Sequence, residues 1–532
     1  MSIKLIFFRR IYNFTKNFFN NFRRVVLIDE ETQKFIRYNK KIWSKWNYNH
    51  STKSEVLVDL YGVAETLISY SYFVNILAKK YQAVIKSFGK NEILPNWYLH
   101  KIYKSFNVNK HIKTTLNKNQ QIRSHRLYQK IIPQLKTKKN ILNLKVLGIW
   151  AGIDIYESYL DRFRQPTINL ADPKLWETVK EGISLVIFWQ DYFKKHNIAG
   201  VVVSHDCYLH LDIIVKVAYK NHVPVYLPNI RGITYAIKPF SVYKYLPNLR
   251  KMFKKLTKKK QIEGISWAKR QLERRFKGEV GVDMDYAINS AFQQRKIFKP
   301  VLRNNDKIKV LICSHCFYDS PYGLGKMLFL DFYEWLHYLG KISNKTDYDW
   351  YLKVHPDPLP GTLGVVKGIL LHYPKITLLP YATSHHQLAK EGINFVLTVH
   401  GSIGHEYPAL GVQVINAGYN PHIAYNFNWH PKSLKEYQSL LLNLNKLKKT
   451  IDINDLYEFY YMHHNHVIAD DLILKSYRKS LEDLTIRERI GPKIYSYFLN
   501  QLTEIKHQEI IKNMQRFIES RKHHYFSKGP ED

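Results

Sequence analysis

Two short motifs in this chain place anion-binding groups at the ends of apolar runs. Lys353-Val-His355-Pro356 closes a predicted strand over 350–354, and His400-Gly401-Ser402-Ile403-Gly404-His405-Glu406 follows a predicted strand over 395–399. A Gly-Ser turn that enters a helix presents backbone N–H groups and the positive end of the helix dipole, which suits a phosphate without a P-loop lysine. Lys353 and His355 add side-chain donors for the same anion. Glu406, one turn into the helix, is placed to accept hydrogen bonds from a ribose. The simpler alternative makes Gly401 and Ser402 an ordinary N-cap. A third run, from the predicted strand 309–313 through Ser314-His315-Cys316 to Asp319-Ser320-Pro321 and Gly325, brings Asp319 and Ser320 to the same end of the same sheet.

Proton transfer needs a different kind of residue, an Asp, Glu or His within hydrogen-bonding reach of a reacting hydroxyl. Ser204-His205-Asp206 ends a predicted strand over 199–204, so Asp206 and His205 are the first candidates for a general base. Asp154, in Gly152-Ile-Asp154-Ile-Tyr-Glu157, is the second. The alternative for Asp206 is that it caps the following helix. Cys313 and Cys316 form a lone CxxC with no second pair, which argues against a zinc site. No metal and no cofactor is expected.

These motifs need elements that hold them at strand ends. Predicted strands at 55–60, 83–85, 199–204 and 223–227 alternate with helices at 64–81 and 211–221, over a basic helical stretch at 100–140. A second series has strands at 309–313, 350–354, 376–379, 395–399 and 412–416, with helices at 326–343, 361–372, 384–391 and 404–410. Alternation of this kind predicts an α/β protein with two doubly wound Rossmann-like domains, whose strand ends face a central cleft. The expected division is an N-terminal extension 1–50, a first domain 51–300 that includes a charged connector from 242, a second domain 301–440, and a helical tail 441–532.

Composition narrows the classes. The chain has 532 residues, with 81 Lys+Arg against 44 Asp+Glu, a formal charge of +37. At 45% hydrophobic and 14% aromatic it is too apolar to be disordered, and three Cys exclude a disulfide scaffold. No apolar run reaches the roughly 18 residues of a spanning helix. The charge is local. No acid occurs between Glu92 and Asp154, and a second basic cluster runs over 250–260. Part of it is a solvated lysine-rich surface. At the N-terminus Phe7, Ile11, Phe14, Phe18, Phe22 and Val25 share one helical face, with Arg9, Arg10, Lys16, Arg23 and Arg24 opposite. An amphipathic helix of this type over residues 3–28 suits an anionic membrane surface. Packing of that helix on the core is the alternative. The basic residues are not organised around a recognition helix or a stacking platform, so nucleic acid is not an expected partner.

Asp319-Ser-Pro, Leu328-Phe-Leu-Asp-Phe-Tyr-Glu-Trp-Leu336, Lys353-Val-His-Pro356, Leu397-Thr-Val-His-Gly-Ser402, Glu406-Tyr and Leu410-Gly-Val-Gln-Val-Ile-Asn-Ala-Gly418 together resemble bacterial capsule and surface-polysaccharide biosynthesis proteins. Asp154-Ile-Tyr-Glu-Ser-Tyr-Leu160 and Ser204-His-Asp-Cys-Tyr208 resemble first-domain signatures of the same family. The chain is also similar, more distantly, to sialyltransferases and Kdo transferases with an HP motif. The resemblance spans residues 54–440. It implies a GT-B glycosyltransferase that uses a nucleotide sugar, often a CMP-sugar, without a catalytic metal, and it carries phosphate binding onto His355 and Ser402. The base stays open between Asp206, His205 and Asp154, because no Asp/Glu-Asp/Glu-Gly triplet is present in the first domain. Asp283-Met-Asp285 copies the DxD metal motif of the other major glycosyltransferase fold without its surroundings.

The expected protein is therefore an inverting, metal-independent glycosyltransferase. Its partners would be a nucleotide sugar, a lipid-linked or growing capsule or lipopolysaccharide glycan, and the cytoplasmic face of the bacterial plasma membrane. The rivals are a CDP-polyol phosphotransferase of teichoic-acid type, a polyanion-binding or nucleic-acid-binding protein, and a non-catalytic scaffold.

Overall fold

The computed structural model describes residues 28–46, 53–89, 97–237, 246–283, 289–292, 299–355, 358–467, 472–474 and 476–525. The amphipathic stretch before residue 28, Pro356 and Asp285 lie outside these residues. Two separate parallel sheets form the frame.

In the first sheet β1 (Ser54–Asp59), β2 (Val84–Gly89), β3 (Lys110–Lys113), β6 (Asn197–Val202), β7 (Val225–Pro228) and β8 (Ile233–Ala236) lie in the order β3-β2-β1-β6-β7-β8. Only β8 runs antiparallel, against β7. A short ribbon, β4 (Lys145–Val146) with β5 (Ile149–Trp150), stands apart. In the second sheet β9 (Lys309–Cys313), β10 (Asp349–Lys353), β11 (Ile376–Leu378), β12 (Phe395–Thr398) and β13 (Gln413–Asn416) lie in the order β11-β10-β9-β12-β13, all parallel. The central strands β1, β9, β10 and β12 are apolar runs covered by helices on both faces, as parallel sheets require. In each sheet the chain builds outward in one direction and then returns to build in the other. The reversals fall between β1 and β6 and between β9 and β12, where open α/β sheets bind ligands beyond the strand ends.

The expected helix 326–343 forms only over Phe332–Ser343. Asp331 caps it, with its carboxylate accepting from Glu334 N–H at 2.8 Å. The preceding segment pairs with the chain after β13 instead, through Leu328 N–H to Ala417 O at 3.1 Å and Tyr419 N–H to Lys326 O at 2.9 Å. This leaves 314–331 as a long loop at the sheet's carboxyl end.

Packing ties distant segments together. Helix Glu30–Trp43 buries Phe35, Ile36 and Trp43 in the core of the first sheet, and Phe35 stacks on Tyr495 at 4.3 Å. Each such large side chain contributes roughly 1.5–3 kcal/mol on burial. The same core takes up Leu472–Leu474, Ile494, Phe498, Ile510 and Met514 from the tail. The rest of the tail pairs with the connector. Helix Lys258–Phe276 packs on helix Ile453–Tyr461 through Gly264, where a Cβ would stand 2.5 Å from the Tyr461 ring. Among the described residues no helix is long and apolar enough to cross a membrane.

Candidate functional site

The carboxyl ends of the two sheets meet across the loop that follows β9. Asp319 accepts from the Tyr208 hydroxyl at 3.2 Å. It acts electrostatically on His205, after β6, and on His400, after β12. Next to it, Ser320 Oγ–H and Tyr322 N–H donate to one oxygen of Glu157 at 2.5 and 2.9 Å. Tyr156 and Thr167 hydroxyls donate to Asp331 at 2.5 and 2.6 Å. These bonds close the cleft on one side. They also correct the expected role of Asp319 and Ser320. An exposed carboxylate repels a phosphate, and the Ser320 hydroxyl is committed to Glu157. Both residues join the two sheets rather than hold the donor.

Imidazoles gather at the reversal of the second sheet. His315 Nε2 accepts from Val399 N–H at 3.0 Å and lies 3.0 Å from Thr398 Oγ1, which in turn accepts from Gly401 N–H at 3.2 Å. A backbone N–H can only donate, so Nε2 is the unprotonated nitrogen and the ring is neutral. Burial and the neighbouring His400 and His355 hold its pKa well below the usual value. The ring stacks on Phe332 at 4.5 Å and stands 4.7 Å from His400. Burial lowers His400 to about 4, with Asp319 pulling the other way.

This network changes the expected phosphate turn. Gly401 N–H is taken by Thr398, and the amides of Gly404, His405 and Glu406 are taken by carbonyls. Ser402 holds the N-cap position, but its side chain makes no capping bond. Among the described residues, the amides of Ser402 and Ile403 are the ones at this turn with no recorded partner. His355 is exposed after β10, beside His315. Lys353 is buried, and its ammonium donates to Tyr381 O at 3.0 Å. Glu406 is buried against Arg275, whose Nε donates to it at 2.7 Å and whose Nη2 also bonds it. Its placement as an open ribose acceptor is corrected by this guanidinium from the connector helix.

The reversal of the first sheet is also bridged. Asp59, at the end of β1, accepts from Ser204 Oγ–H at 2.5 Å, from Ser204 N–H at 3.2 Å and from the Tyr70 hydroxyl. Burial pushes Asp59 up to about 6 against these bonds. Two residues on, Asp206 is partly exposed, and burial, then Asp212, push its carboxyl up to about 6. His205 is exposed, meets the Tyr61 ring edge-on at 5.4 Å, and has its pKa lowered by desolvation. Asp206 does not cap the next helix. That helix, Leu209–Lys220, starts after Tyr208, which holds φ 65° and ψ 154° and gives no side-chain cap. Such backbone is nearly confined to glycine, and a non-glycine residue held there is a feature of functional loops. Asp154 is fully buried, with Lys216 Nζ 2.6 Å away, and burial and Asp212 raise its pKa against the pull of Lys216. It has no open side toward the cleft, which removes it as a base.

Several participants were not singled out in the sequence. His315 lies inside the Ser314-His-Cys run, but its role comes from bonds to β12. Glu157, pushed up to about 7 by burial, stands in the same signature as Asp154, one helical turn on. Among the described residues, the carboxylate and imidazole donors close enough to share a metal ion are Asp283, His405 and His464.

No family model matches the chain, and no curated protein matches it significantly. Solved structures do align with it. KpsC, a beta Kdo 2,4 transferase of Thermosulfurimonas dismutans, is 16% identical over 52% of this chain and 85% of that one, with a TM-score of 0.31. A putative UDP-N-acetylglucosamine 2-epimerase from Listeria monocytogenes is 12% identical over 84% of this chain and 97% of that one, with a TM-score of 0.23. UDP-GlcNAc 2-epimerase from Neisseria meningitidis is 11% identical over 88% of this chain and 99% of that one, with a TM-score of 0.20. With TM-scores below 0.5 and identities below 25%, none of these likenesses bears on the activity of this chain.

Proposed function

We propose that the protein is a glycosyltransferase that moves a sugar from a nucleotide donor to a glycan hydroxyl, with inversion and without a catalytic metal. The observation that carries this reading is the convergence of the loops after β6, β9 and β12 on Asp319, which meets Tyr208, His205 and His400. The donor phosphate binds at the Ser402 and Ile403 amides, with His355 and neutral His400 as further donors. Asp206 takes the proton of the acceptor hydroxyl. The freed oxygen attacks the anomeric carbon, the bond from that carbon to the phosphate oxygen breaks, and the charge that collects on the phosphate is met by fixed N–H groups. A carboxylate with a pKa near 6 is ionised at neutral pH and is still a useful base.

The acceptor class follows from charge. Lys101, Lys104, Lys113, Lys118, Arg126, Lys130, Lys136 and Lys139 are all exposed on the acid-free stretch of the first half. They favour an anionic glycan such as a capsule or lipopolysaccharide chain. The basic N-terminal stretch brings the enzyme to the inner face of the plasma membrane.

Incubation with nucleotide sugars and an oligosaccharide acceptor tests this reading. A new glycosidic bond, largely lost in His355→Ala, is the expected result. A phosphodiester product would assign the protein to polyol phosphate transfer instead.

A further inference from the structure

Away from the cleft, Asp283, His405 and His464 converge from three segments that are remote in sequence. Asp283 follows the connector helix, His405 is in the first turn of helix Ile403–Ala409, and His464 lies in the π-helical turn Met462–His466. Their ligand atoms all lie within 4.8 Å of one another. The Asp283 side chain is fully buried and His405 is 2% exposed.

The spacing is informative. His405 Nε2 and Asp283 Oδ2 are 3.4 Å apart, long for a hydrogen bond. It equals the edge of a tetrahedron whose metal–ligand bonds are about 2.0–2.1 Å, roughly 3.3–3.4 Å. The remaining atoms of both groups are held as metal ligands usually are. His405 Nδ1 is 3.2 Å from His422 Nε2, and Asp283 Oδ1 accepts from Arg275 Nη1 at 2.6 Å. Gly404 makes the first of these contacts feasible, because a Cβ there would meet His422 Cε1 at 2.4 Å. The π turn is an uncommon local geometry that recurs at functional sites, and it carries His464 to the group, with its ring 4.6 Å from Tyr460. Formal charge points the same way, since two buried carboxylates, Asp283 and Glu406, share the one guanidinium of Arg275. A cation offsets that excess.

We infer that Asp283, His405 and His464 bind a divalent transition-metal ion, zinc in the first place, as a structural clamp. Two imidazoles and one carboxylate suit zinc and its neighbours in the series, whereas magnesium requires an octahedron of oxygen. The ion would fix the connector, the helix behind the Ser402 turn and the C-terminal segment to one another. The site is separate from the proposed sugar transfer and stands or falls without it.

The test uses the full chain without an affinity tag, purified without chelator, and reads metal content by mass spectrometry. About one zinc per chain is expected in the wild type and in the His125→Gln control, whose residue is exposed and distant in sequence. Asp283→Asn and His464→Gln should each lose it. Chelator should lower the wild-type melting midpoint by several degrees, and zinc but not magnesium should restore it. If the variants do not fold, cobalt added to the stripped wild type decides, with intense tetrahedral visible bands expected. A wild type that takes up no metal, variants that retain it, or a pale octahedral cobalt spectrum would overturn the site.

Discussion

Asp206 carries the proton in the proposed reaction, and its environment makes two opposite demands on it. The carboxyl is raised from 3.8 to about 6 by burial and by Asp212, so the fold prefers it protonated. That preference is full at pH values below its unfolded pKa, and it is lost as pH rises through about 6. Above that pH the ionised form costs stability, up to roughly 3 kcal/mol at about 1.4 kcal/mol per pH unit. Activity has the reverse dependence, because only the ionised form accepts a proton. Asp206→Asn should therefore abolish transfer and raise the melting midpoint at pH 8, while little changes at pH 4. Measured together, turnover and midpoint separate a catalytic carboxylate from a structural one, whose loss would lower both. In the wild type, kcat/KM should climb with pH through about 6. The residue types at this scale were readable in the sequence. Their states were not. Asp154 and Asp206 look alike in the chain, yet one is fully buried against Lys216 and the other is partly exposed.

At the scale of elements, the reversals of both sheets depend on side chains that cross between strand ends. Thr398, His315 and Gly401 form one such bridge, and Asp59 with Ser204 forms the other. Thr398→Val keeps the shape of the side chain and removes the hydroxyl. It should cost about 1–2 kcal/mol in denaturant unfolding, and it should weaken nucleotide binding by calorimetry through a looser Ser402 turn. Unchanged affinity at reduced stability would make the bridge structural only. Most strands and helices of both halves were legible, because continuous apolar runs such as Lys309–Cys313 admit few other roles; the edge strands β3, inside the stretch read as helical, and β8 were not. The helix expected from Lys326 was not, because its apolar residues are equally satisfied by pairing with the chain after β13. Arg275 was hidden for a related reason. Its helix is charged and weakly patterned, and its one buried arginine is visible only once Gly264 seats it against Tyr461.

For the whole molecule, Asp331 is the group that joins both halves while capping a helix. Asp331→Ala removes the cap and two hydroxyl contacts and should cost roughly 3 kcal/mol. Asp331→Asn, which still caps, should cost less. A ranking with the two variants equal would contradict the joint role. Deletion of residues 1–28, of which 1–27 lie outside the described residues, should release the protein from anionic vesicles and leave transfer to a soluble acceptor intact; unchanged vesicle binding would exclude it as the anchor. The central claim is that a nucleotide donor sits at the Ser402 turn. Its most direct measurement is a melting-midpoint titration of wild type and His355→Ala with CMP, CDP, UDP and GDP, since a ligand that binds only the folded state raises its apparent stability. One nucleotide should raise the wild-type midpoint and lose most of that effect in the variant. No response to any of the four, or an equal response in both proteins, would contradict it.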